Sequence, residues 1–270
     1  MSGAADIEDP VGAEDPAATL ARLRTLVERT RPVSTADQRV LPVLPAIEEL
    51  LPSRGLRRGS IVQVDGLVGV TSMALAVAAG PTRAGSWVAC VGADELGWAA
   101  AAEAGVDMDR LVVVRTPPES WATVAAALVD AFDVVLCGFD RAPSMVEARR
   151  LQARARERGA VLVVVGGLRG GVGPARRGWP GAADLGLTVV EARWQGLGDG
   201  WGNLRSRLVT VEISGRREAG RPRRVELLLP GPTGAPAPAP DRTLTSSSED
   251  AGSSPGHTGV APVVPLRRTG

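Results

Sequence analysis

Residues 64–75 read Val64-Asp65-Gly66-Leu67-Val68-Gly69-Val70-Thr71-Ser72-Met73-Ala74-Leu75. An apolar run with strand character precedes this stretch at residues 61–64, and a helix-forming run follows it at residues 73–79. Strand, glycine-rich turn and helix in this order are the context of a phosphate-binding loop, where backbone N–H groups and the helix N-terminus hold phosphate. The stretch therefore predicts such a loop, with these candidate binding residues: Gly66, Gly69, Val70, Thr71 and Ser72.

The predicted loop lacks the lysine that neutralises the outer phosphates in nucleotide-hydrolysing loops. No lysine elsewhere in the chain can replace it, because all 31 basic residues are arginines. The sequence leaves two interpretations open. Either the loop is not a nucleotide site, or it descends from one and no longer supports hydrolysis.

The net charge of +1 hides an uneven distribution along the chain. Residues 1–140 carry 11 arginines and 19 acidic residues, whereas residues 141–230 carry 17 arginines and 8 acidic residues. A basic half is typical of a protein that contacts nucleic acid or an acidic partner. It equally fits an arginine-rich helix face in solvent, so the charge alone does not decide between the two.

Several classes of active site lack the residues that they need. The single histidine, His257, lies in a Ser-, Gly- and Pro-rich stretch, which argues against serine–histidine, cysteine–histidine and histidine–metal chemistry. Cys90 and Cys137 lie in apolar runs, so we expect two buried free thiols, no metal site and a reducing cytoplasm. No apolar run reaches the roughly 18 residues of a membrane span.

Apolar strand-like runs alternate with helix-like runs from residue 61 to residue 165. Strands are predicted at residues 61–64, 87–91, 111–115, 134–139 and 161–165, with helices at residues 73–79, 96–104, 120–131 and 144–158. Nearly all-apolar strands separated by helices indicate a parallel sheet covered on both faces. Three later strands, at residues 185–192, 208–213 and 225–229, are predicted to extend the sheet edge in antiparallel fashion.

Composition divides the chain into four segments. Residues 1–16 are acidic and small, and we expect them to be disordered. Residues 17–40 contain leucines at helical spacing and predict a short amphipathic helix. Residues 41–230 form the predicted core domain, and residues 231–270 are rich in Pro, Ser and Gly and are predicted to be a disordered tail.

Three stretches, in order, make residues 40–215 resemble a RecA-type core. The first is Gly59-Ser60-Ile61-Val62-Gln63-Val64-Asp65-Gly66 with the loop that follows it. The second is Cys90-Val91-Gly92-Ala93-Asp94-Glu95-Leu96, with Ala104-Gly105-Val106-Asp107-Met108-Asp109-Arg110-Leu111 after it. The third is Phe132-Asp133-Val134-Val135-Leu136-Cys137-Gly138, in the place of the Walker B strand. Within this class, the chain resembles the RecA-like accessory proteins of the ImuA family in their actinobacterial form.

The resemblance implies an α/β fold with a RecA-like P-loop NTPase core, in which a mainly parallel sheet is flanked by helices and extended by antiparallel edge strands. The phosphate-handling positions depart from the family pattern. One alignment matches the helix after the loop to the family's helix and shortens the loop. In this alignment Val70 stands at the lysine position and Thr71 at the magnesium-coordinating hydroxyl. In the ungapped alignment Ser72 stands at the lysine position instead, so neither alignment recovers the charge.

The acids of the family pattern are displaced as well. Gly138 stands where the metal-supporting acid is expected, and the water-activating glutamate falls at Ala93 or Asp94. Losing the lysine and this acid together removes the means of phosphoryl transfer. The resemblance therefore implies a protein without ATP hydrolysis, catalytic residues or a bound metal. Binding of ATP without hydrolysis, through the amides of residues 66–71, stays open.

Two arginine-rich segments are candidate contact sites. The glycine-rich loop at residues 166–179, in the position of a DNA-binding loop in RecA, carries Arg169, Arg176, Arg177 and Trp179. Guanidinium groups and an aromatic ring suit the backbone and bases of single-stranded DNA. On the preceding helix, a spacing of four puts three arginines on one stripe: Arg150, Arg154 and Arg158. An ordinary surface loop and a solvated helix face are the plainer alternatives.

The resemblance to this family implies that the protein is a non-catalytic accessory protein of DNA-damage-induced mutagenic translesion synthesis. Its implied partners are an ImuB-type polymerase-like protein, through it an error-prone DnaE-type polymerase, and single-stranded DNA. Two alternatives stay open. One is an ATP-binding RecA-type recombinase in which an arginine replaces the missing lysine, and the other is a damage-induced inhibitor of cell division.

Overall fold

The computed structural model describes residues 21, 22, 25 and 39–240, except residues 67, 94–95, 117–119, 140–142, 167–178, 182, 198–201 and 217–221. The helices are α1 (Pro45–Glu48), α2 (Val70–Arg83), α3 (Trp98–Glu103), α4 (Trp121–Ala131) and α5 (Met145–Arg158). The first strands are β1 (Val40–Leu41), β2 (Leu56–Arg57), β3 (Ile61–Gly66), β4 (Val88–Val91), β5 (Leu111–Val114) and β6 (Val134–Phe139). The later strands are β7 (Val161–Gly166), β8 (Leu185–Leu197), β9 (Gly202–Ser214), β10 (Arg223–Leu228) and β11 (Ala237–Pro238).

In the described part of the chain, one nine-stranded sheet has the order β11-β10-β9-β8-β3-β7-β6-β4-β5, and β1 and β2 pair separately. Strands β3 to β7 are parallel to one another, and β9, β10 and β11 join antiparallel. This confirms the predicted α/β fold, in which a mainly parallel sheet is extended by antiparallel edge strands. The antiparallel part begins one strand later than predicted, because β8 pairs parallel with β3.

Two apolar cores cover the two faces of the sheet. On one face Val62 and Val64 of β3 pack in a cluster with the buried side of α2, and on the other face Ile61 packs in a cluster with residues of α4 and α5. Neighbouring residues of one strand point to opposite faces, so a strand with a core on each face is apolar at every position. This explains why the parallel strands could be recognised as nearly all-apolar runs.

Helix α2 is longer than predicted because it continues through Gly80 and Pro81 to Arg83. A glycine–proline pair normally marks a helix end, so the sequence prediction stopped at residue 79. A Cβ atom at Gly80 would lie 2.2 Å from the Cα atom of Val43, so the glycine permits the close approach of the segment that leads into α1. Tertiary packing therefore overrides the local helix-breaking signal.

Strands β8 and β9 form a hairpin of 13 residues a side, longer than predicted. The pairing of β8 with β3 ends at Gly66 and Val189, whereas β8 itself continues to Leu197. The hairpin therefore extends beyond the carboxyl ends of the parallel strands, and we call its projecting part, residues 190–197 and 202–208, the hairpin arm. Trp194, which lies beyond the predicted end of this strand at residue 192, belongs to this arm.

The folded core continues past the predicted boundary at residue 230. Residues 231–236 form a turn, and Ala237 and Pro238 of β11 pair with β10, so the Pro-rich composition there accompanies an edge strand. Of the predicted N-terminal helix at residues 17–40, the described residues 21, 22 and 25 are helical. The predicted disordered segments, residues 1–16 and most of 231–270, lie outside the described residues.

The two cysteines are buried and free. Burial raises the pKa of Cys90 to about 12, and it raises the pKa of Cys137 as well, with the charge of Cys90 as a second cause. No helix in the described chain is long and apolar enough to cross a membrane.

Candidate functional site

The predicted phosphate loop has the expected local structure. Strand β3 ends at Gly66, and α2 begins at Val70 after Gly69, whose φ of 80° is in the left-handed region that favours glycine. Gly66 has φ 146°, and a Cβ atom on it would lie 2.7 Å from the carbonyl oxygen of Val189. Both glycines are thus required by the backbone, Gly66 for contact with β8 and Gly69 for the turn.

The N-terminus of α2 is left open by its own sequence. Gly69 at the N-cap has no side chain to accept a hydrogen bond, and the first turn contains no acidic residue. The first amides of a helix need partners from outside it, and together they form the positive end of the helix dipole. In a phosphate loop, the phosphate fills this role.

A guanidinium group, that of Arg207 in β9, lies directly against this helix end. Its Nη2 donates a hydrogen bond of 3.1 Å to the hydroxyl of Ser72. A Cβ atom at Gly69 would lie 2.9 Å from the same Nη2 and 3.2 Å from Cζ, so the glycine makes room for the arginine. Only 6% of Arg207 is exposed. The protein's own arginine side chain therefore occupies the space beside Gly69 and Ser72.

Three further contacts hold Arg207 in place. Its Nε donates a 2.7 Å hydrogen bond to the carbonyl oxygen of Leu229, and its backbone N–H donates to the carbonyl oxygen of Pro230 at 2.9 Å. Its Cζ lies 5.1 Å from the centre of the Trp194 ring, within the range of a cation–π contact. The hairpin arm thus supplies both the arginine and the ring on which it stacks.

The charge of Arg207 is poorly compensated. Among the described residues no carboxylate lies within ion-pair distance of it, and burial lowers the pKa of its guanidinium. The positive end of α2 adds an unfavourable interaction with the same group. The arrangement can act in two ways: the guanidinium occupies the phosphate position itself, or a small shift lets it pair with a phosphate in the place of the missing lysine.

The Walker B position is a close contact between two strands. Gly138 is buried in β6, and a Cβ atom at Gly92, just after β4, would lie 2.1 Å from its carbonyl oxygen. Ala93 is fully buried, whereas Asp94 lies outside the described residues. The described chain holds no group of three or more His, Cys, Asp or Glu side chains that could bind a metal ion.

The arginine row on α5 is largely engaged in ion pairs within the fold. Arg154 forms a two-pronged pair with Asp130 of α4, its Nε–H donating at 2.6 Å, and this hydrogen bond raises the pKa of Arg154. Arg158 lies 3.3 Å from the same carboxylate. Arg150 is exposed. Two of the three predicted contact residues therefore join α5 to α4, which fits the plainer alternative for this row.

Of the four predicted DNA-contact residues in the glycine-rich loop, the structure describes Trp179. Arg169, Arg176 and Arg177 lie outside the described residues, and their role stays a prediction. Trp179 packs in the core on the face covered by α4 and α5, with 5% of its surface exposed. An indole buried to this extent presents no open face on which a base could stack, so core packing accounts for Trp179.

Sequence reasoning missed Arg207 and Trp194 as members of the site. Arg207 and Ser72 are 135 residues apart in the chain, and no local motif connects them. One signal was present: Arg207, Val209 and Val211 alternate along β9, which places the arginine on the buried side of the strand. A buried charge on a strand is uncommon and marks a position that needs an explanation.

Comparisons with known proteins agree with this fold and leave the activity open. The family described as the MT3502 N-terminal domain matches residues 49–170, which include the loop and Gly138 but not Arg207. The chain is 39% identical over 102 residues to the uncharacterized protein Rv3395c of Mycobacterium tuberculosis (strain ATCC 25618 / H37Rv). That alignment covers 37% of this chain and 50% of the relative, so the match spans half the length of the curated protein.

Among solved structures, the crystal structure of the RadB recombinase is similar, with a TM-score of 0.51 and 14% sequence identity. The similarity covers 73% of this chain and 97% of that chain. At this level of identity the likeness concerns the fold, which is that of the RecA class.

Proposed function

We propose that this protein is a non-hydrolysing RecA-like accessory protein of the ImuA type, which acts by contact in DNA-damage-induced mutagenic translesion synthesis. Its proposed partners are an ImuB-type polymerase-like protein, through it an error-prone DnaE-type polymerase, and single-stranded DNA. The RecA-like fold and the similarity to a mycobacterial relative support the family part of this proposal. The biological role rests on the resemblance of the sequence stretches quoted above.

The observation that carries the absence of hydrolysis is the position of Arg207. Phosphoryl transfer needs a cradled phosphate, a cation and a metal held by an acid. In this protein a guanidinium bonds Ser72 and lies against the start of the helix, and the acid position is Gly138. We therefore expect the purified full-length protein to show no DNA-stimulated ATP hydrolysis. A turnover that disappears in Thr71→Ala would contradict this part of the proposal.

The distribution of exposed apolar side chains supports a contact function. Of the eight large apolar residues that the described chain exposes, Met108 alone lies at the amino edge of the sheet. The other seven lie at or beyond the carboxyl ends of the parallel strands: Val68, Trp98, Met145, Val146, Val190, Trp194 and Leu204. Clustered exposed apolar groups mark surfaces that bind other proteins. We infer that the carboxyl edge, including the hairpin arm, is the partner surface.

A capture experiment with two matched variants tests this surface. Leu204→Asp places a charge on the hairpin arm, where the leucine is 52% exposed, and Met108→Asp does the same at the opposite edge, where the methionine is 38% exposed. We expect Leu204→Asp to lose the polymerase-like protein in pull-downs from DNA-damaged cells, and Met108→Asp to retain it. Both residues are exposed, so neither change should unfold the protein.

Three outcomes of that experiment would count against the proposal. Equal capture by both variants would exclude the carboxyl edge as the surface. Loss of capture in Met108→Asp alone would move the surface to the opposite edge. A tubulin-like division protein in place of polymerases would favour a regulator of cell division.

Arg207 also favours a second candidate function, an ATP-binding protein in which this arginine supplies the charge of the missing lysine. The support is its distance from the loop and its lack of a carboxylate partner among the described residues. This candidate predicts that Arg207→Ala abolishes ATP binding and that Arg207→Lys keeps part of it. The accessory-protein proposal predicts no ATP binding by the unaltered protein, by Arg207→Ala or by Arg207→Lys.

A further inference from the structure

The two edges of the nine-stranded sheet differ in how they are protected against pairing with another strand. Strand β11 at one edge has only two residues, Ala237 and Pro238, and the proline has no N–H group to donate. Strand β5 at the other edge reads Leu-Val-Val-Val, and among the described residues it pairs with β4 alone. Proteins commonly protect a free edge with charged residues or proline, and β5 contains neither.

The side chains of β5 are apolar on both faces of the sheet and only half-buried. Val112 and Val114 pack against the cluster formed with α4 and α5, whereas Leu111 and Val113 pack against the cluster that contains α2. A strand inside a sheet has a neighbour on each side. A further strand beyond β5 would therefore bury the exposed part of these four side chains and would provide partners for the N–H and C=O groups of the edge.

One charged residue stands at each end of β5. Asp109 precedes the strand, Arg115 follows it, and both are exposed. Within the described part of the chain, neither the Asp109 carboxylate nor the Arg115 guanidinium has an ion-pair or hydrogen-bond partner. A strand that ran antiparallel along β5 and carried the same two charges would bring each charge to its opposite. The edge is therefore complementary to a second copy of itself.

From these observations we propose that two copies of this chain associate through β5, with the two strands antiparallel about a two-fold axis at Val112. Directly opposed residues in an antiparallel pair have the same hydrogen-bonding role, so a residue must stand opposite its own copy at the axis. An axis at Val112 puts Leu111 opposite Val113 and brings Asp109 to Arg115 of the second copy, twice over. An axis at Val113 overlaps the strands equally but forms no ion pair.

The association closes at two copies, because each chain uses its unprotected edge and keeps the protected edge at β11 outside. The parallel strands of one copy then run opposite to those of the other. The carboxyl edges of the two copies therefore point in opposite directions, and both remain available for the contacts described under the proposed function.

Analytical ultracentrifugation of the full-length protein tests the association. We expect a dimer that is weakened about tenfold in Arg115→Asp and in Asp109→Arg, since each change turns two exposed ion pairs into like-charge contacts, and tenfold in affinity is 1.4 kcal/mol. The double variant Asp109→Arg/Arg115→Asp should restore the dimer. Arg205→Asp, at an exposed arginine of the hairpin arm, changes the net charge as Arg115→Asp does and should leave the dimer intact.

Three results of these measurements would overturn the proposal. The first is a monomeric full-length protein. The second is a dimer that Arg115→Asp weakens no more than Arg205→Asp does, and the third is a dimer that the double variant fails to restore. Thermal melts of each variant establish that it is folded.

Single cysteines test the position of the axis. In the proposed dimer, the two copies of Val112 have Cα atoms about 4.5–5.5 Å apart, whereas the two copies of Val113 lie about 8 Å apart. A disulfide needs a Cα separation below about 7 Å, so under mild oxidation Val112→Cys should cross-link the dimer and Val113→Cys should not. The native Cys90 and Cys137 are buried and do not interfere. Cross-linking of Val113→Cys at least as fast as that of Val112→Cys would overturn the proposed axis.

Discussion

Two helices begin at the carboxyl edge of the same sheet, and their N-termini are completed in opposite ways. Helix α5 starts with a capping box, in which the Glu147 amide donates to the Ser144 hydroxyl at 3.2 Å and the Glu147 carboxylate accepts from the Ser144 amide at 2.7 Å. Helix α2 starts at a glycine without any side-chain cap, and the guanidinium of Arg207 lies against it. One helix end faces an anion, and the other faces a cation.

The difference separates a helix end capped by its own side chains from one that, under the proposed function, is a remodelled binding site. A carboxylate in the first turn satisfies free amides and interacts favourably with the helix dipole, as Glu147 does. Among the described residues, the N-cap of helix α2 supplies no side-chain hydrogen bond, as is usual for a phosphate loop. The group now in front of these amides has the wrong sign for the dipole, and it comes from a distant strand. The loop geometry has been retained in the absence of the lysine and the acid that hydrolysis needs.

Among the substitutions that test this comparison, one at Gly66 is expected to change the free energy of unfolding most. Gly66→Ala places a Cβ atom 2.7 Å from the Val189 carbonyl oxygen and forces an alanine into a φ of 146°. We expect a loss of about 2–4 kcal/mol in the free energy of unfolding, measured by urea denaturation. Gly97→Ala is the control, because its nearest contact would be an ordinary 3.7 Å. Equal stability of the two variants would mean that the loop is not held by β8.

A smaller loss in the free energy of unfolding is expected at the capped N-terminus of α5. Ser144→Ala removes the hydroxyl that accepts from the Glu147 amide, and loss of such a cap costs about 0.5–2 kcal/mol. The same urea titration measures it. The comparison would fail if Ser144→Ala had no effect, because α5 would then not depend on its cap.

The smallest effect is a gain in stability at α2. Val68 is 37% exposed, and Val68→Asp would bring a carboxylate close to the open amides and to Arg207. We expect about 0.3–1 kcal/mol of added stability, which should shrink in high salt. Val146→Asp at the already capped α5 should give a smaller gain. A loss of stability in Val68→Asp would argue against an uncompensated positive end at α2.

The sequence predicted the parts of the fold that depend on local pattern. The nearly all-apolar runs predicted the parallel strands, and the Val134–Phe139 strand was placed correctly at both ends. The end of α2 was misplaced because the packing of Gly80 on Val43 outweighs a local breaker. The core's C-terminal limit was misplaced because the pairing of β11 with β10 outweighs composition.

The sequence predicted one part of the candidate site, the loop, and missed the other part, Arg207. The loop and the missing charges could be recognised, because strand, glycines and helix are contiguous there. Arg207 could not be assigned to the loop, since only the pairing of β8 with β3 and of β9 with β8 brings it there. The regular spacing of Arg150, Arg154 and Arg158 predicted a shared helix stripe correctly, but spacing carries no information about Asp130 on the neighbouring helix.

Equilibrium binding of Mg–ATP to the full-length protein and to Arg207→Ala tests the central claim most directly. The claim is that the loop is filled by the protein's own arginine and serves no nucleotide. It predicts no saturable binding by either protein up to about 1 mM ATP, where the binding free energy is only about −4 kcal/mol. Saturable binding by the unaltered protein that is lost in Arg207→Ala would contradict it, and would make Arg207 the replacement for the missing lysine.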